Sequence, residues 1–418
     1  MKKLLFSILI VLLFGQINGQ DETLKVLSYN LLNYPNPDIP VDYRADTLKK
    51  IIDYYTPDLF LMQELKSSTG FSFILNNVFN TDGVDYFESG TWEPQHSNPG
   101  SSWKLQQNVI YNTRKLALYY ETFLYTVRRD INVFKFYFKD PDLATHQDTT
   151  YLYAITLHLK SSQGADNEAQ RLEMVEILEN FLDTISPDAQ VIVGGDYNLY
   201  TSDEDAYQLM LNTGNNIILA DPLNTPGTWH NNSNFRFVHT QSTRTIPING
   251  DGAGGGMDDR FDFIMVSENL MDLNNPISIS ENSYEPIGNN GNCFNARIID
   301  CEDNDVPTNI INALYQMSDH LPIKMELDID YPLSDEISEY YKYSIKIMGQ
   351  NSEQITFSIN DYNQAVNYNI VDAYGRIISK GYLKPSESTV LQLNNLSNGI
   401  YFLVFEDDTI EPFKFIKY

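Results

Sequence analysis

This 418-residue chain has only two cysteines and three tryptophans, and its 28 Lys and Arg are outnumbered twofold by 56 Asp and Glu. Each shortage excludes something. A metal centre built on Cys293 and Cys301 would want more soft ligands nearby, and none stands there. In an exported chain two cysteines this close are expected to close a small disulfide loop. The formal net charge of −28 argues against tight, sequence-independent grip on nucleic acid, which relies on phosphate neutralisation. Turnover of an acidic substrate stays open, and a plain acidic, soluble surface suits the same charge. Beyond the first residues no apolar run is long enough to span a bilayer.

What is present begins with Met1-Lys2-Lys3 and the apolar run Leu4 to Phe14, followed by small and polar residues through Gly19. This reads as a cleaved secretory signal over residues 1–19, with no Cys near the cut to carry a lipid. Losing Lys2 and Lys3 with it makes the charge about −30. Residues 341–418 carry seven Lys and Arg against eight Asp and Glu, so the acid excess lies in the larger part of the chain. The length predicts two domains, 20–330 and 341–418, joined by a linker at 331–340 that holds Pro332 and an acidic run.

Leu48, Ile51, Ile52 and Tyr55 fall at helical spacing from Asp46 to Tyr55, and Pro57 stops the helix before a strand that runs to Glu64. A second helix is expected from Asn167 to Asp183, with Asn167 and Gln170 as a capping box and Leu172, Val175, Leu178 and Leu182 on its apolar side. It leads into Val191-Ile192-Val193. Asn108 to Tyr111, Thr126 to Phe138 and Tyr151 to Leu159 read as hairpin strands, with a polar turn from Asp140 to Thr150. Residues 226–258, rich in Gly, Asn, Thr and Ser, read as a flexible surface loop, because a phosphate cradle needs a strand before it and a helix after it. After the linker, short alternating strands with turn signals predict an all-β module with no His or Cys.

The chemistry gathers at strand ends. Gly195-Asp196-Tyr197-Asn198 follows a β-branched run, and its carboxylate and amide, two positions apart, share one face of an extended segment. Ser318-Asp319-His320 sets a potential metal ligand beside a proton-transfer group. Leu27-Ser28-Tyr29-Asn30, Leu59 to Glu64, Tyr153 to Ser161 and Arg260-Phe261-Asp262-Phe263-Ile264 are further apolar runs carrying polar residues. Alone, Asp-x-Asn is more often a turn, a Glu at a strand end a surface residue, and a His on an apolar strand a satisfied core group. At His158, however, the apolar run stops and Lys160-Ser161 follow.

In this order the motifs resemble the endonuclease/exonuclease/phosphatase, or deoxyribonuclease-I-like, superfamily over roughly residues 24–328. The resemblance implies an α+β chain whose first domain is a four-layer α/β/β/α sandwich of two packed mixed sheets with outer helices. It implies a metal site at Asn30, Glu64 and Asp319, occupied by Mg²⁺ with Mn²⁺ or Ca²⁺ as alternatives. His158, Asp196, Asn198, Asp262 and His320 would be catalytic, with Asp262 orienting His320, Asp196 positioning the nucleophile and Asn198 donating to a phosphoryl oxygen. Tyr111 and Arg171 are expected at the substrate, Arg171 also as a support of the loop after His158. The tail resembles the sorting domain of the type IX secretion system in Tyr374-Gly375-Arg376, Leu396-Ser397-Asn398-Gly399-Ile400-Tyr401 and Phe413 to Lys417. It would form a small β-sandwich, read by that secretion machinery in a Gram-negative bacterium; a generic carbohydrate-binding sandwich is the alternative, without the exposed Trp that a sugar platform favours.

The expectation is therefore a secreted or surface-located, monomeric, metal-dependent phosphodiesterase, with nucleic acid or another phosphodiester as partner and no transmembrane segment in the mature chain. A nuclease comes first. A sphingomyelinase-like phospholipid phosphodiesterase or a phosphatase is the alternative among enzymes, and an inactive binding or adhesion protein the alternative of another class. The Cys293–Cys301 region is polar and poor in the aromatics that lipid entry needs.

Overall fold

The computed structural model describes residues 21–36, 40–141, 143, 149–331, 343–350, 353–359, 362–372, 376–384, 388–407, 409–410 and 412–417. The expected signal segment, all but residue 331 of the expected linker, most of the turn after Asp140 and the Ala373-Tyr374-Gly375 part of the Tyr-Gly-Arg motif lie outside them. The chain forms two compact units, divided between Pro332 and Leu333.

The first unit opens with β1 (Asp21–Tyr34), α1 (Val41–Tyr55), β2 (Leu59–Leu65), α2 (Ser68–Ile74), β3 (Phe87–Ser89) and β4 (Gln106–Asn112). Next come β5 (Leu116–Leu124), β6 (Ile131–Phe138), β7 (Tyr151–His158), α3 (Ala165–Leu182), β8 (Gln190–Asp196), α4 (Asp205–Met210) and β9 (Leu219–Ala220). It closes with β10 (Asp262–Ser267), β11 (Ile277–Ile279), β12 (Glu285–Pro286), α5 (Thr308–Met317) and β13 (Ile323–Asp330). Among the described residues these strands form two mixed sheets. One has the order β11-β13-β1-β2-β4-β3, with β12 on β13, and the other β5-β6-β7-β8-β10-β9.

Three buried clusters show the layering. Leu48, Ile51 and Ile52 of α1 and Ile310, Ile311 and Leu314 of α5 pack on one sheet through Phe60 and Met62. Leu61, Val109, Phe134, Phe136 and Ile192 fill the space between the sheets. Met174, Val175, Leu178 and Leu182 of α3 cover the other sheet through Val191, Val193 and Phe263. This is the helix–sheet–sheet–helix order expected. Each wholly buried aliphatic side chain here contributes about 1.5–3 kcal/mol, so Leu61→Ala would cost about 2–5 kcal/mol.

Both helices start earlier than periodicity predicted. Thr56, in a left-handed conformation with its N–H bonded to Ile52, closes α1. At α3 the capping box does not form: Gly164 is the N-cap, and the Asn167 and Gln170 side chains donate back to the carbonyls of Gln163 and Asp166, four residues earlier. The hairpin reading needs two corrections. β4 pairs with β2 and β3, while β6 pairs with an unforeseen strand, β5, and with β7. Gly194 and Gly195 lie where the two sheets and neighbouring strands come closest. A Cβ at Gly194 would sit 2.5 Å from Leu61 Cδ1 across the sheet gap, and one at Gly195 would sit 2.1 Å from the Leu157 carbonyl oxygen.

The second unit contains β14 (Ile345–Gln350), β15 (Gln354–Ile359), β16 (Val366–Asp372), β17 (Ile377–Leu383), β18 (Thr389–Gln392), β19 (Gly399–Phe405) and β20 (Phe413–Lys417). Sheets β14-β15-β18 and β17-β16-β19-β20 enclose a core of Phe357, Tyr368, Tyr401, Leu403 and Phe415. Among its described residues the unit is all-β, as expected.

Candidate active site

Strand direction decides which polar residues meet. β1 runs parallel to β2, and β7 runs parallel to β8, so the late residues Asn30, Glu64, His158 and Asp196 reach one rim. β10 runs antiparallel to β8, which sets its first residue, Asp262, opposite Asp196. β13 is likewise antiparallel to β1, so Ser318-Asp319-His320, just before β13, arrives at the same rim. Ser318 Oγ donates to the Asn30 carbonyl at 2.7 Å and accepts from the His320 amide at 3.1 Å, which holds the turn. Glu64 has φ 63°, and the β2 ladders slip register there, turning its carboxylate into the cleft.

At the centre, His320 Nδ1 lies 2.8 Å from Asp262 Oδ2. Its Nε2 faces Gln241 Nε2 at 2.6 Å, Asn30 Nδ2 at 3.4 Å and Asp196 Oδ2 at 3.7 Å. Burial disfavours a charged ring, yet the carboxylates of Asp262, Asp196 and Asp319 outweigh it and hold His320 well above the usual histidine value. Burial, with Asp262 and Glu64 nearby, pushes Asp196 up to about 7, although His320 and Arg129 pull the other way. His158 Nε2 stands 3.3 Å from Asp196 Oδ2; burial first, then Arg129, His320 and Lys160, drive this ring well below the usual value and keep it neutral.

Glu64 accepts from the Asn33 amide at 2.8 Å and from Asn30 Nδ2 at 3.1 Å, and burial, then Asp319, raise its pKa. Asp319 Oδ2 accepts from the Ala253 amide at 2.6 Å and Gln241 at 3.2 Å. Asp319 Oδ1 and His158 Nδ1 are buried with no hydrogen-bond partner. Crowded hard oxygens with partnerless buried atoms among them fit a divalent cation. In this cleft the ligand atoms that gather within 4.8 Å of one another belong to Glu64, His158 and Asp196; a second such group, His230, Asp258 and Asp259, lies outside it. The expected Asn30-Glu64-Asp319 set is thus only partly assembled: the Asn30 amide nitrogen faces Glu64 and Asp196, and its oxygen is occupied by the Leu32 amide at 3.0 Å.

Asn198, at φ 50°, donates from its amide to Asp196 Oδ1 at 3.0 Å, and its side chain reaches the Leu159 carbonyl at 3.4 Å. With Glu64, His158, Asp196, Asp319 and His320 it lines a cleft of about 310 Å³. Two expected site residues are elsewhere. Tyr111 lies opposite Leu59 at the far end of β2, roughly 17 Å along the strand from Glu64. There it bonds Glu88 at 2.9 Å and packs on Phe136 between the sheets. Arg171 is wholly buried, bonded to Glu204 at 2.6 Å and to the carbonyls of Lys160 and Ser162, so it supports the loop after β7 and does not face the cleft.

The sequence reading missed Gln241, Arg129, Trp103 and the Gly252-Ala253 turn, all of which line the cleft. Gln241 and Gly252 belong to the stretch read as a surface loop. Instead His239, Thr240, Ser242 and Thr243 are buried, and the Thr243 amide bonds the Asp319 carbonyl. The only signal was indirect: a Gly/Thr-rich stretch this long has to go somewhere, and His239 and Arg244 inside it are ill suited to a free loop. Cys293 and Cys301 are joined in a disulfide, their Cα atoms 5.3 Å apart.

Residues 351–417 match the family described as the secretion system C-terminal sorting domain. The match indicates export to the surface or medium and implies the secretion machinery as partner. No described helix is long and apolar enough to cross a membrane. No curated protein gives a significant match to the chain. Similar solved structures include the endonuclease/exonuclease/phosphatase from Bacteroides vulgatus, 16% identical over 74% of this chain and 99% of that one, with a TM-score of 0.47. D. rerio TDP2 complexed with a single-strand DNA product is 17% identical over 73% and 98%, at 0.45. Bacteroides thetaiotaomicron mannosyl-6-phosphatase is 15% identical over 73% and 99%, at 0.44. These identities and scores are too low for the likeness to assign an activity.

Proposed function

We propose that this chain is an exported, divalent-metal-dependent phosphoric ester hydrolase that cuts phosphodiester bonds of nucleic acid. The observation that carries the reading is the meeting of Glu64, Asp196, Asp319 and the Asp262–His320 pair in one cleft, from strands of both sheets. Phosphoryl transfer asks for charge neutralisation, a placed nucleophile and a proton for the leaving oxygen. Glu64 and Asp319, with Asp196 and His158 beside them, would hold a cation of the Mg²⁺ class, which would neutralise phosphoryl charge there. Asp262 fixes the His320 ring through Nδ1 and leaves Nε2 toward the cleft, where it holds or takes a proton. Asp196 positions the attacking water. Neutral His158 steadies Asp196 by donating from Nε2, and Asn198 donates to a phosphoryl oxygen.

The test is an activity panel on the purified chain with plasmid DNA, RNA, sphingomyelin and bis(p-nitrophenyl) phosphate. EDTA is expected to abolish hydrolysis, and Mg²⁺ or Mn²⁺ to restore it. Cleavage that persists in chelator would sink the mechanism, and turnover of sphingomyelin alone would move the substrate to lipid.

A further inference from the structure

Beside the catalytic cleft is a second one of about 180 Å³, lined by Gln95, Asn98, Ser101, Trp103, Arg128, Arg129, Lys160 and Ser161. Trp103, Arg129 and Ser161 line both, so the two are continuous. The second cleft is basic in a chain with twice as many acids as bases. Elsewhere in the first unit some cations are neutralised, Lys49 by Asp53 and Asp82, Lys115 by Asp58, Arg260 by Asp221 and Lys324 by Glu285, while others such as Arg44 and Lys104 bond only carbonyls. Here the bonds go to neutral oxygens. Arg128 Nε bonds Gln170 Oε1 at 2.5 Å, Arg129 bonds the Leu159 carbonyl at 2.9 Å, and Lys160 bonds the Ser161 carbonyl at 2.5 Å. Among the described residues no carboxylate forms an ion pair with any of the three. Asp130, next in the chain, is buried and occupied by the amides of His96 and Ser97 and the Ser97 hydroxyl.

Three cations thus share one small cleft, and Arg129, which lines both clefts, also interacts with the carboxylates of Glu64 and Asp196. The ridge between the clefts is aromatic. Trp103 is 57% exposed, and Lys66 Nζ sits 3.9 Å from its ring centroid. A positive groove with an aromatic platform is how proteins hold single-stranded nucleic acid, the cations following the backbone while bases stack.

We propose that this cleft binds a second phosphate of a single-stranded polynucleotide, with Trp103 stacking the base between that phosphate and the one that is cut. The proposal takes its direction from the hydrolase reading above. It also reconciles the acidic chain with a nucleic-acid substrate: attraction is local to one side of the site, and the rest of the surface repels.

The test is equilibrium binding in EDTA, where no turnover occurs, with the dithymidine monophosphate TpT and the trithymidine diphosphate TpTpT as probes. The wild-type chain is expected to bind TpTpT at least tenfold more tightly than TpT, with a steeper dependence on salt. In Arg128→Gln/Lys160→Gln that preference falls below twofold, while Arg128→Lys/Lys160→Arg keeps most of it, which separates lost charge from lost fold. Trp103→Ala is expected to weaken TpTpT at least fivefold. Equal affinity for the two probes in the wild type, no binding of either up to millimolar concentration, or an unchanged preference in the Gln pair overturns the proposal. If the preference behaves as stated and the metal-loaded chain cleaves no diester, the hydrolase reading fails and the subsite stands.

Discussion

The two ends of the β1–β2 ladder hold similar side chains in opposite conditions. At the starting end, a cleft of about 420 Å³ is lined by Lys25, Lys49, Asp53, Asp58, Asp82 and Lys115. Its charges answer one another: Asp58 accepts from the Lys25 amide at 3.0 Å, Asn112 at 2.9 Å and Lys115 at 2.9 Å. At the other end the cleft is smaller, about 310 Å³, and the carboxylates of Glu64, Asp196 and Asp319 crowd together, with partnerless atoms on His158, Asp262 and Asp319. Size does not mark the site; clustered dissatisfaction does. A single partnerless atom marks nothing, since Glu179 on α3 has one as well. The comparison also says where stability and activity should part company.

The largest effect belongs to the crowded end. His320→Ala and His158→Ala should each lower kcat by roughly two to four orders of magnitude, the weight of placed acid–base groups. Chemical denaturation should show little change in stability for His158→Ala, whereas His320→Ala also leaves Asp262 buried without its partner and should cost stability as well. If His158→Ala unfolds the chain and spares specific activity, His158 is a core residue and the comparison loses one of its members.

Arg171→Ala should instead cost stability, about 3–5 kcal/mol by urea titration, because Glu204 would be left buried and unpaired. Activity should fall less than in the histidine variants, through loosening of the loop after β7. Glu179 gives a smaller effect of the opposite sign. Burial, with Asp183 nearby, pushes its carboxyl up to about 8. A folded-state value above the unfolded one means that stability is full at low pH and declines as pH rises from about 4.5 through 8. Glu179→Gln should remove that decline and gain on the order of 2 kcal/mol above pH 8, with hydrolysis unchanged. A variant with the same pH–stability curve as the parent would show that Glu179 stays charged in the fold.

At the paired end, Lys115→Met should lower stability by about 1 kcal/mol and leave kcat/KM within twofold. A large loss of activity there would erase the contrast between the ends. The smallest effect is expected from truncation after residue 335, which removes the sorting unit: kcat/KM on small soluble substrates should not change, while release or surface display in the native host stops. Normal export of the truncated chain would remove the sorting role, and lost activity would show that the tail helps to build the site.

Much of this was legible because buried strands write themselves as apolar runs, and a polar residue where such a run stops has to be at a rim. Glu64, His158 and Asp196 were readable in this way. Which rim is not written locally. Tyr111 looked like its neighbours, but β4 runs antiparallel to β2, so its last residues reach the paired end. Direction is a property of the sheet and not of the segment. The Gly- and Thr-rich stretch misled for a related reason: its composition describes backbone freedom, whereas burial of Thr240 and Thr243 and the placing of Gln241 come from contacts with segments far away in sequence. Arg128 and Arg129 fell inside the expected strand from Thr126 to Phe138, and only the fold, which starts that strand at Ile131, brings them to the side of the cleft.

The left-handed backbone at Glu64 has a consequence for how this chain would respond to selection. A non-glycine residue at φ 63° within a strand carries a conformational penalty of about 1 kcal/mol or more, and glycine would carry almost none. Its buried carboxylate adds a further cost. A library of variants sorted only for folding, expression or heat tolerance would therefore enrich replacements at position 64, and these would lose the carboxylate that the proposed function assigns to the cation. On the role proposed for Glu64, directed evolution of this scaffold has to select for turnover in every round, because the backbone conformation that role uses is one that stability alone discards.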